Sequence, residues 1–280
     1  MKKPKIFLIV TVLLIFVQSL FAQPDVPVNE WRGKNVMFIG AHPDDDAKTH
    51  GTMAMLQDNG NEVYVVIITS GNVGTKDPNV SMNQLARIRR AEELGALGEL
   101  GIPEDHYINL GYTDGMLELE NKKEVIEKLV RLIRTYKPEI VIAFDPGKGK
   151  MRWHKADHRA ACVLATDACR AAEWPLLYQG QIIHEGLNYH QVSAYLLFDG
   201  FEEDFNTFVD VSDYKKQVIN ASMKYVSQYT SGNYNYQGAN LSEDEAEKFR
   251  KRLEKRFLNE DGRLIEKLRY YKGIPDGIGR

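Results

Sequence analysis

The segment Ala41-His42-Pro43-Asp44-Asp45-Asp46 places one imidazole and three carboxylates within five residues. Acids crowded this closely repel one another, and a bound cation is the usual relief. Histidine nitrogen beside carboxylate oxygen suits zinc, whose bonds to such atoms are roughly 2.0–2.2 Å long. His42 and Asp45 are three residues apart, so one helical turn brings both to the same side and aims Asp44 elsewhere. Taken alone, the triple Asp reads more simply as an acidic helix start, with His42 a hydrogen-bonded core residue. The flanking His and Pro at a strand end favour the metal reading. A second cluster follows Asp145-Pro146 and a Gly/Lys-rich stretch, in Trp153-His154-Lys155-Ala156-Asp157-His158. His-x-x-Asp-His says little by itself; its weight comes from where the fold puts it. Two such clusters facing one cleft supply three protein ligands and one open position, the arrangement of a catalytic rather than a structural zinc site.

The elements that must position these clusters read as alternating strands and helices. Val36 to Ile39 forms a continuous apolar strand, residues 52–57 a helix and residues 63–69 a second strand. Residues 84–100 are helical by the spacing of Leu85, Ile88, Leu94, Leu97 and Leu100, and Gly101 ends the run. Residues 106–110 give a third strand, 124–136 a helix stopped by Pro138, and 140–144 a fourth strand. Apolar strands separated by helices are the mark of parallel βαβ units covered on both faces. Residues 34–172 are therefore expected to form a doubly wound, Rossmann-like α/β/α sandwich of three layers with a mostly parallel sheet. In that architecture strands one and four are neighbours, and ligands bind outside the carboxyl ends of the strands, where both clusters lie. Further on, residues 193–198 and 207–211 read as strands, 213–229 as one helix and 230–241 as a polar loop. Ser242 caps a last helix carrying Phe249, Leu253 and Phe257.

The 280 residues are 27% charged and 43% hydrophobic with a net charge of −3, which excludes a disordered polymer, a collagen-like repeat and a multi-span membrane protein. Lys2, Lys3 and Lys5 precede an apolar run from Ile6 to Val17, and Ala22 closes the segment. A basic start, a short apolar run and a small final residue describe a secretory signal peptide, 1–22, rather than a membrane span. The expected product is a secreted or periplasmic chain of residues 23–280, one domain, with no lasting membrane insertion. Loss of three lysines takes the basic count from 36 to 33 against 39 acids, a net of −6 that disfavours nucleic acid as a partner. Cys162 and Cys169, seven apart on one helix, sit about 10 Å from each other and are expected to be buried packing residues rather than a disulfide. His50, His106, His184 and His190 read as structural, with His184 and His190 also within reach of lining the cleft. Ser70 has no adjacent base to make it a nucleophile.

From about Asn35 to Ala172 the chain resembles the LmbE-like (PIG-L-like) zinc-dependent N-deacetylases, which act on N-acetylglucosamine-containing substrates. The resemblance rests on an ordered set: Ala-His-Pro-Asp-Asp, the Thr69-Ser70-Gly71-Asn72-x-Gly74 turn, Arg87-Ile88-Arg89-Arg90-Ala91-Glu92, Leu110-Gly111-x-x-Asp114-Gly115, and Asp157-His158. It implies that His42, Asp45 and His158 bind Zn2+, or another divalent ion such as Fe2+. Asp44 is then the general base, His154 the electrophilic histidine, and Arg89 and Asp114 contact the substrate, a small molecule or glycan bearing an N-acetyl amino sugar. Three positions depart from the family pattern. Asp46 stands where the family usually has Glu, an extra residue separates His154 from Asp157, and Tyr225 stands where the family has a histidine before x-Ser-Gln. Two other functions fit the same residues: an amidase on a thiol-sugar conjugate, and a catalytically silent sugar-binding protein on this scaffold.

Overall fold

The computed structural model describes residues 23–147 and 155–273. The expected signal segment and His154 lie outside the described residues. Seven strands form one sheet in the order β3-β2-β1-β4-β5-β7-β6. They are β1 (Asn35–Gly40), β2 (Glu62–Thr69), β3 (Tyr107–Tyr112), β4 (Ile140–Phe144), β5 (Ala194–Phe198), β6 (Thr207–Asp210) and β7 (Ile265–Lys272). β1 pairs in parallel with both β2 and β4, β2 with β3, and β4 with β5. β7 runs antiparallel to β5 and β6. The central strands β1 and β4 are buried along almost their whole length, which is why they read as unbroken apolar runs instead of alternating ones.

Helices cover the sheet: α1 (His50–Asp58), α2 (Met82–Glu99), α3 (Lys122–Tyr136), α4 (Ala156–Ala172), α5 (Gln179–Ile183), α6 (Lys215–Ser222), α7 (Val226–Tyr229) and α8 (Glu243–Phe257). Right-handed crossovers require a change of face where the strand order reverses, between β1 and β4. Accordingly α1 and α2 both pack on α6, while α3 packs on α4. The fold is the expected three-layer α/β/α sandwich with a mostly parallel sheet. The two cysteines are free and buried in α4, and burial pushes each thiol up to about 12.

Two departures from the sequence reading bear on the site. The helix expected over 213–229 is broken: α6 ends at Ser222, and α7 restarts at Val226. The turn between them buries Tyr225 completely. β7 is not foreseen from sequence, because Glu266 and Arg269 interrupt its apolar pattern. Both are buried and satisfied by partners from other elements. Glu266 accepts the backbone N–H groups of Gly51 and Thr52 at the start of α1, each at 2.8 Å. Arg269 makes a two-bond ion pair with Asp145 at the end of β4, one bond of 2.7 Å and a second through Nη2.

Candidate active site

β1 delivers its chain to the carboxyl edge of the sheet and stops at Gly40. A side chain at Gly40 would come within 2.7 Å of Phe38 and 3.2 Å of the Asp45 Cβ, so the missing side chain lets Asp45 fold back over the strand end. Asp45 Oδ2 there accepts the backbone N–H groups of Ala41 (2.8 Å) and His42 (2.7 Å). These bonds leave Oδ1 turned toward His158 Nε2, 3.2 Å away. His158 rides the first turn of α4 and stacks on Phe144 at the end of β4, ring centroids 4.4 Å apart. His42 faces His158 across 5.2 Å between centroids. The adjacency of β1 and β4 thus joins two segments separated by more than a hundred residues.

His42, Asp45 and His158 offer donor atoms that all lie within 4.8 Å of one another. A tetrahedral ion with bonds of about 2.1 Å requires donor separations of about 3.4 Å. The 3.2 Å between His158 Nε2 and Asp45 Oδ1 matches that edge. One carboxylate and two imidazoles are also the right chemistry for a divalent ion of the zinc kind. His42, Asp114 and Asp157 form a second group of the same compactness. Asp157, however, already accepts the N–H groups of Gly115 (2.7 Å) and Leu117 (3.1 Å). Its Oδ2 lies 3.2 Å and the Asp114 Oδ1 3.0 Å from His42 Nε2. These two acids orient the imidazole from behind, the part that outer carboxylates play at metal-binding histidines. The residues therefore fit a metal held by His42, Asp45 and His158.

Asp44 points away from that triad. Its backbone takes φ 132°, ψ −7°, a region that non-glycine residues rarely adopt. The carboxylate meets Arg89 at 2.6 Å. Arg89 projects from the inward face of α2, is only 3% exposed, and also donates to Pro43 O and Gly71 O. Gly71, at φ +60°, makes this possible: a Cβ there would stand 2.4 Å from the guanidinium. Burial lifts the Asp44 carboxyl above the usual range, against the pull of Arg89 and with added repulsion from Asp45. Asp45 goes the other way: burial resists its charge, but His42 and His158 hold it well below the carboxylate range. Neighbouring acids whose proton affinities are shifted in opposite directions suit one to hold an ion and the other to take a proton.

Of the residues expected at the site, His42, Asp44, Asp45, Arg89, Asp114 and His158 all line one cleft of about 460 Å³. His184 and His190 do not line it; His190 bonds to Pro138 O at 2.7 Å. Tyr225, at the departed histidine position, does not line it either. Its hydroxyl bonds to Asp46 (2.9 Å) and Glu93 (3.1 Å), while Asp46 holds His50 at 2.9 Å. The shortened Asp46 therefore supports the loop from inside. Other wall residues carried no signal in the motifs: Lys48, Lys155, Asp199, Tyr229 and Arg256. Asp199 was the most accessible to inference, because it directly follows a parallel strand.

The profile of the PIG-L family, described as GlcNAc-PI de-N-acetylase, matches residues 37–169. Diacetylchitobiose deacetylase of Thermococcus kodakarensis is 33% identical over 214 residues, covering 75% of this chain and 77% of that protein. A 1D-myo-inositol 2-acetamido-2-deoxy-alpha-D-glucopyranoside deacetylase of Kineococcus radiotolerans is 26% identical over 185 residues, 54% of this chain and 51% of that protein, about half its length. The structure of N,N'-diacetylchitobiose deacetylase from Pyrococcus horikoshii, solved with its inhibitor MPG, superposes with a TM-score of 0.72 at 28% identity, covering 91% of this chain and 90% of that one. With the motifs on adjacent strands, this chain belongs to the PIG-L (LmbE-like) family of deacetylases.

Proposed function

We propose that this protein is a zinc-dependent hydrolase that removes the N-acetyl group from an N-acetylglucosamine-containing sugar or glycoconjugate. The observation that carries the reading is the convergence of His42, Asp45 and His158 within 4.8 Å, beside a separately aimed Asp44. When bound, the ion supplies Lewis-acid polarisation of a water and of the acetamide carbonyl. Asp44, lifted in proton affinity by burial, accepts the proton of the attacking water and returns it to the leaving amine. Arg89 fixes the orientation of Asp44 and stops its carboxylate from swinging onto the metal ligands. Asp114 and Arg89, both on the cleft wall, take the sugar-contacting roles that the family resemblance gives them. His154 takes the oxyanion-stabilising role that the family resemblance gives it.

The same reading includes export. The basic and apolar character of residues 1–22 supports their removal as a signal peptide. Among the described residues no helix is long and apolar enough to cross a membrane. N-terminal sequencing of the protein from its host is expected to begin at Gln23; retention of Met1 overturns the export reading. The activity is tested by loading the purified protein with zinc and measuring acetate and free amine from N,N'-diacetylchitobiose. Stoichiometric acetate and amine support the deacetylase. Bound sugar without either product would mean a silent binder on the same scaffold.

A further inference from the structure

Every carboxylate on the cleft wall is already engaged. Asp44 pairs with Arg89 at 2.6 Å, Asp45 with His158 at 3.2 Å, Asp114 with His42 at 3.0 Å, and Asp199 with Lys48 at 2.6 Å. Two wall cations are left over. Among the described residues, neither Lys155 nor Arg256 has a carboxylate within ion-pair distance, although both line the cleft. Lys155 immediately precedes α4, two residues before Asp157 and three before His158. Arg256 comes from the last turn of α8 and lies over the Tyr229 ring, its guanidinium carbon 5.4 Å from the centroid. A guanidinium lying on an aromatic face is held in place while its in-plane N–H donors stay available. Tyr229 in turn donates its hydroxyl to the Asp44 carbonyl at 3.3 Å, which ties Arg256 to the loop that carries the base.

The wall as a whole is balanced, with Asp44, Asp45, Asp114 and Asp199 against Lys48, Arg89, Lys155 and Arg256, but the four acids are committed to partners that leave these two cations unpaired among the described residues. Neutral sugars are gripped through hydroxyls, a grip that neutral donors and acceptors also provide and that does not call for two unpaired cations. They do match a phosphate, sulfate or carboxylate, the groups that arginine and lysine bind through charge-assisted hydrogen bonds. Resting on the deacetylase reading above, we propose that the cleft selects N-acetyl amino sugars that bear an anionic substituent, recognised by Lys155 and Arg256. Preferred substrates then differ from diacetylchitobiose, the neutral sugar named for two of the relatives.

The test compares initial rates of the zinc-loaded protein on N-acetylglucosamine, N-acetylglucosamine 6-phosphate and N-acetylmuramic acid. The three share the acetamide and differ in having no anion, a phosphate or a carboxylate. At least one anionic sugar is expected to exceed the neutral one in kcat/KM by about tenfold, mainly through KM, and the excess should shrink as salt screens it. Whichever anionic sugar leads identifies the source of the charge. In Lys155→Gln/Arg256→Gln the preference is expected to collapse to within about twofold, and Lys155→Arg/Arg256→Lys should restore most of it. Calorimetry on the chelator-treated protein gives a readout independent of turnover: glucosamine 6-phosphate or muramic acid should bind more tightly than glucosamine, and the double Gln variant should lose that difference. Equal rates and equal binding for neutral and anionic sugars overturn the proposal, as does a preference that survives in the double Gln variant. If no sugar is deacetylated, the deacetylase reading fails, and the calorimetry alone decides whether the cleft recognises an anion.

Discussion

At the scale of single residues, Asp44 and Asp45 show how two identical side chains, adjacent in sequence, are set to different work. Asp45 receives two backbone N–H groups and the company of two imidazoles, all of which favour its charged form. Asp44 is held in an uncommon backbone conformation, faces the cleft, and has its proton affinity raised by burial. Asp44→Asn is therefore expected to lower turnover by about three orders of magnitude while bound zinc stays near one per chain. Metal analysis beside an acetate assay checks this, and loss of the metal would show that Asp44 is itself a ligand. His154→Ala should lower kcat by roughly two to three orders of magnitude with little change in KM, as for loss of an oxyanion donor. A change confined to KM would instead assign the residue to sugar binding. The two His and Asp clusters were legible in the sequence because such residues gathered at strand ends are chemically costly without a purpose. Lys155 and Arg256 were not, because a lone exposed cation looks the same on any helix, and only the folded cleft shows that its neighbours are already paired.

At the scale of elements, the strands that build the site were the easiest to read. β1 and β4 are buried on both faces, so their sequences are continuous apolar runs, and the run at 140–144 coincides with β4. β7 was invisible for a physical reason: its buried Glu266 and Arg269 are compensated only by residues far away in sequence. No periodicity within residues 265–272 can reveal partners at Gly51 or Asp145. The break between α6 and α7 was missed similarly, since Tyr225 leaves the helix to reach Asp46 and Glu93. The Arg269–Asp145 pair yields a prediction. Arg269→Met strands a buried carboxylate and should cost about 3–5 kcal/mol in denaturant unfolding. The double variant Arg269→Met/Asp145→Asn should recover a large part of that loss, because no isolated charge remains. Equal losses in both variants would mean that shape rather than charge is at stake.

At the scale of the whole molecule, stability depends on acids held inside. Glu92 is 5% exposed and accepts both the backbone N–H and the hydroxyl of Ser227, yet burial lifts its carboxyl from 4.5 to about 7. Between those two values the folded protein holds a proton that the unfolded chain has released, so stability falls as pH rises through this window and levels off above about 7. Glu92→Gln removes the titrating group while keeping a partner for Ser227. Relative to the parent protein, the variant should therefore gain stability at pH 8 compared with pH 5, by an amount on the order of 2 kcal/mol. Unfolding midpoints at the two pH values check the sign, and a pH-independent difference would show that Glu92 remains ionised in the fold.

The position of β7 between β5 and β6 also governs how the chain comes to be made. The strand that neutralises Asp145, tethers the start of α1 and gives β6 its neighbour spans residues 265–272. A nascent polypeptide released from the ribosome up to residue 260 has both His and Asp clusters but still lacks the counter-charge at the foot of the second. Completion of the sheet edge that carries the candidate site therefore waits on residues 265–272, which are synthesised after the other six strands of the sheet.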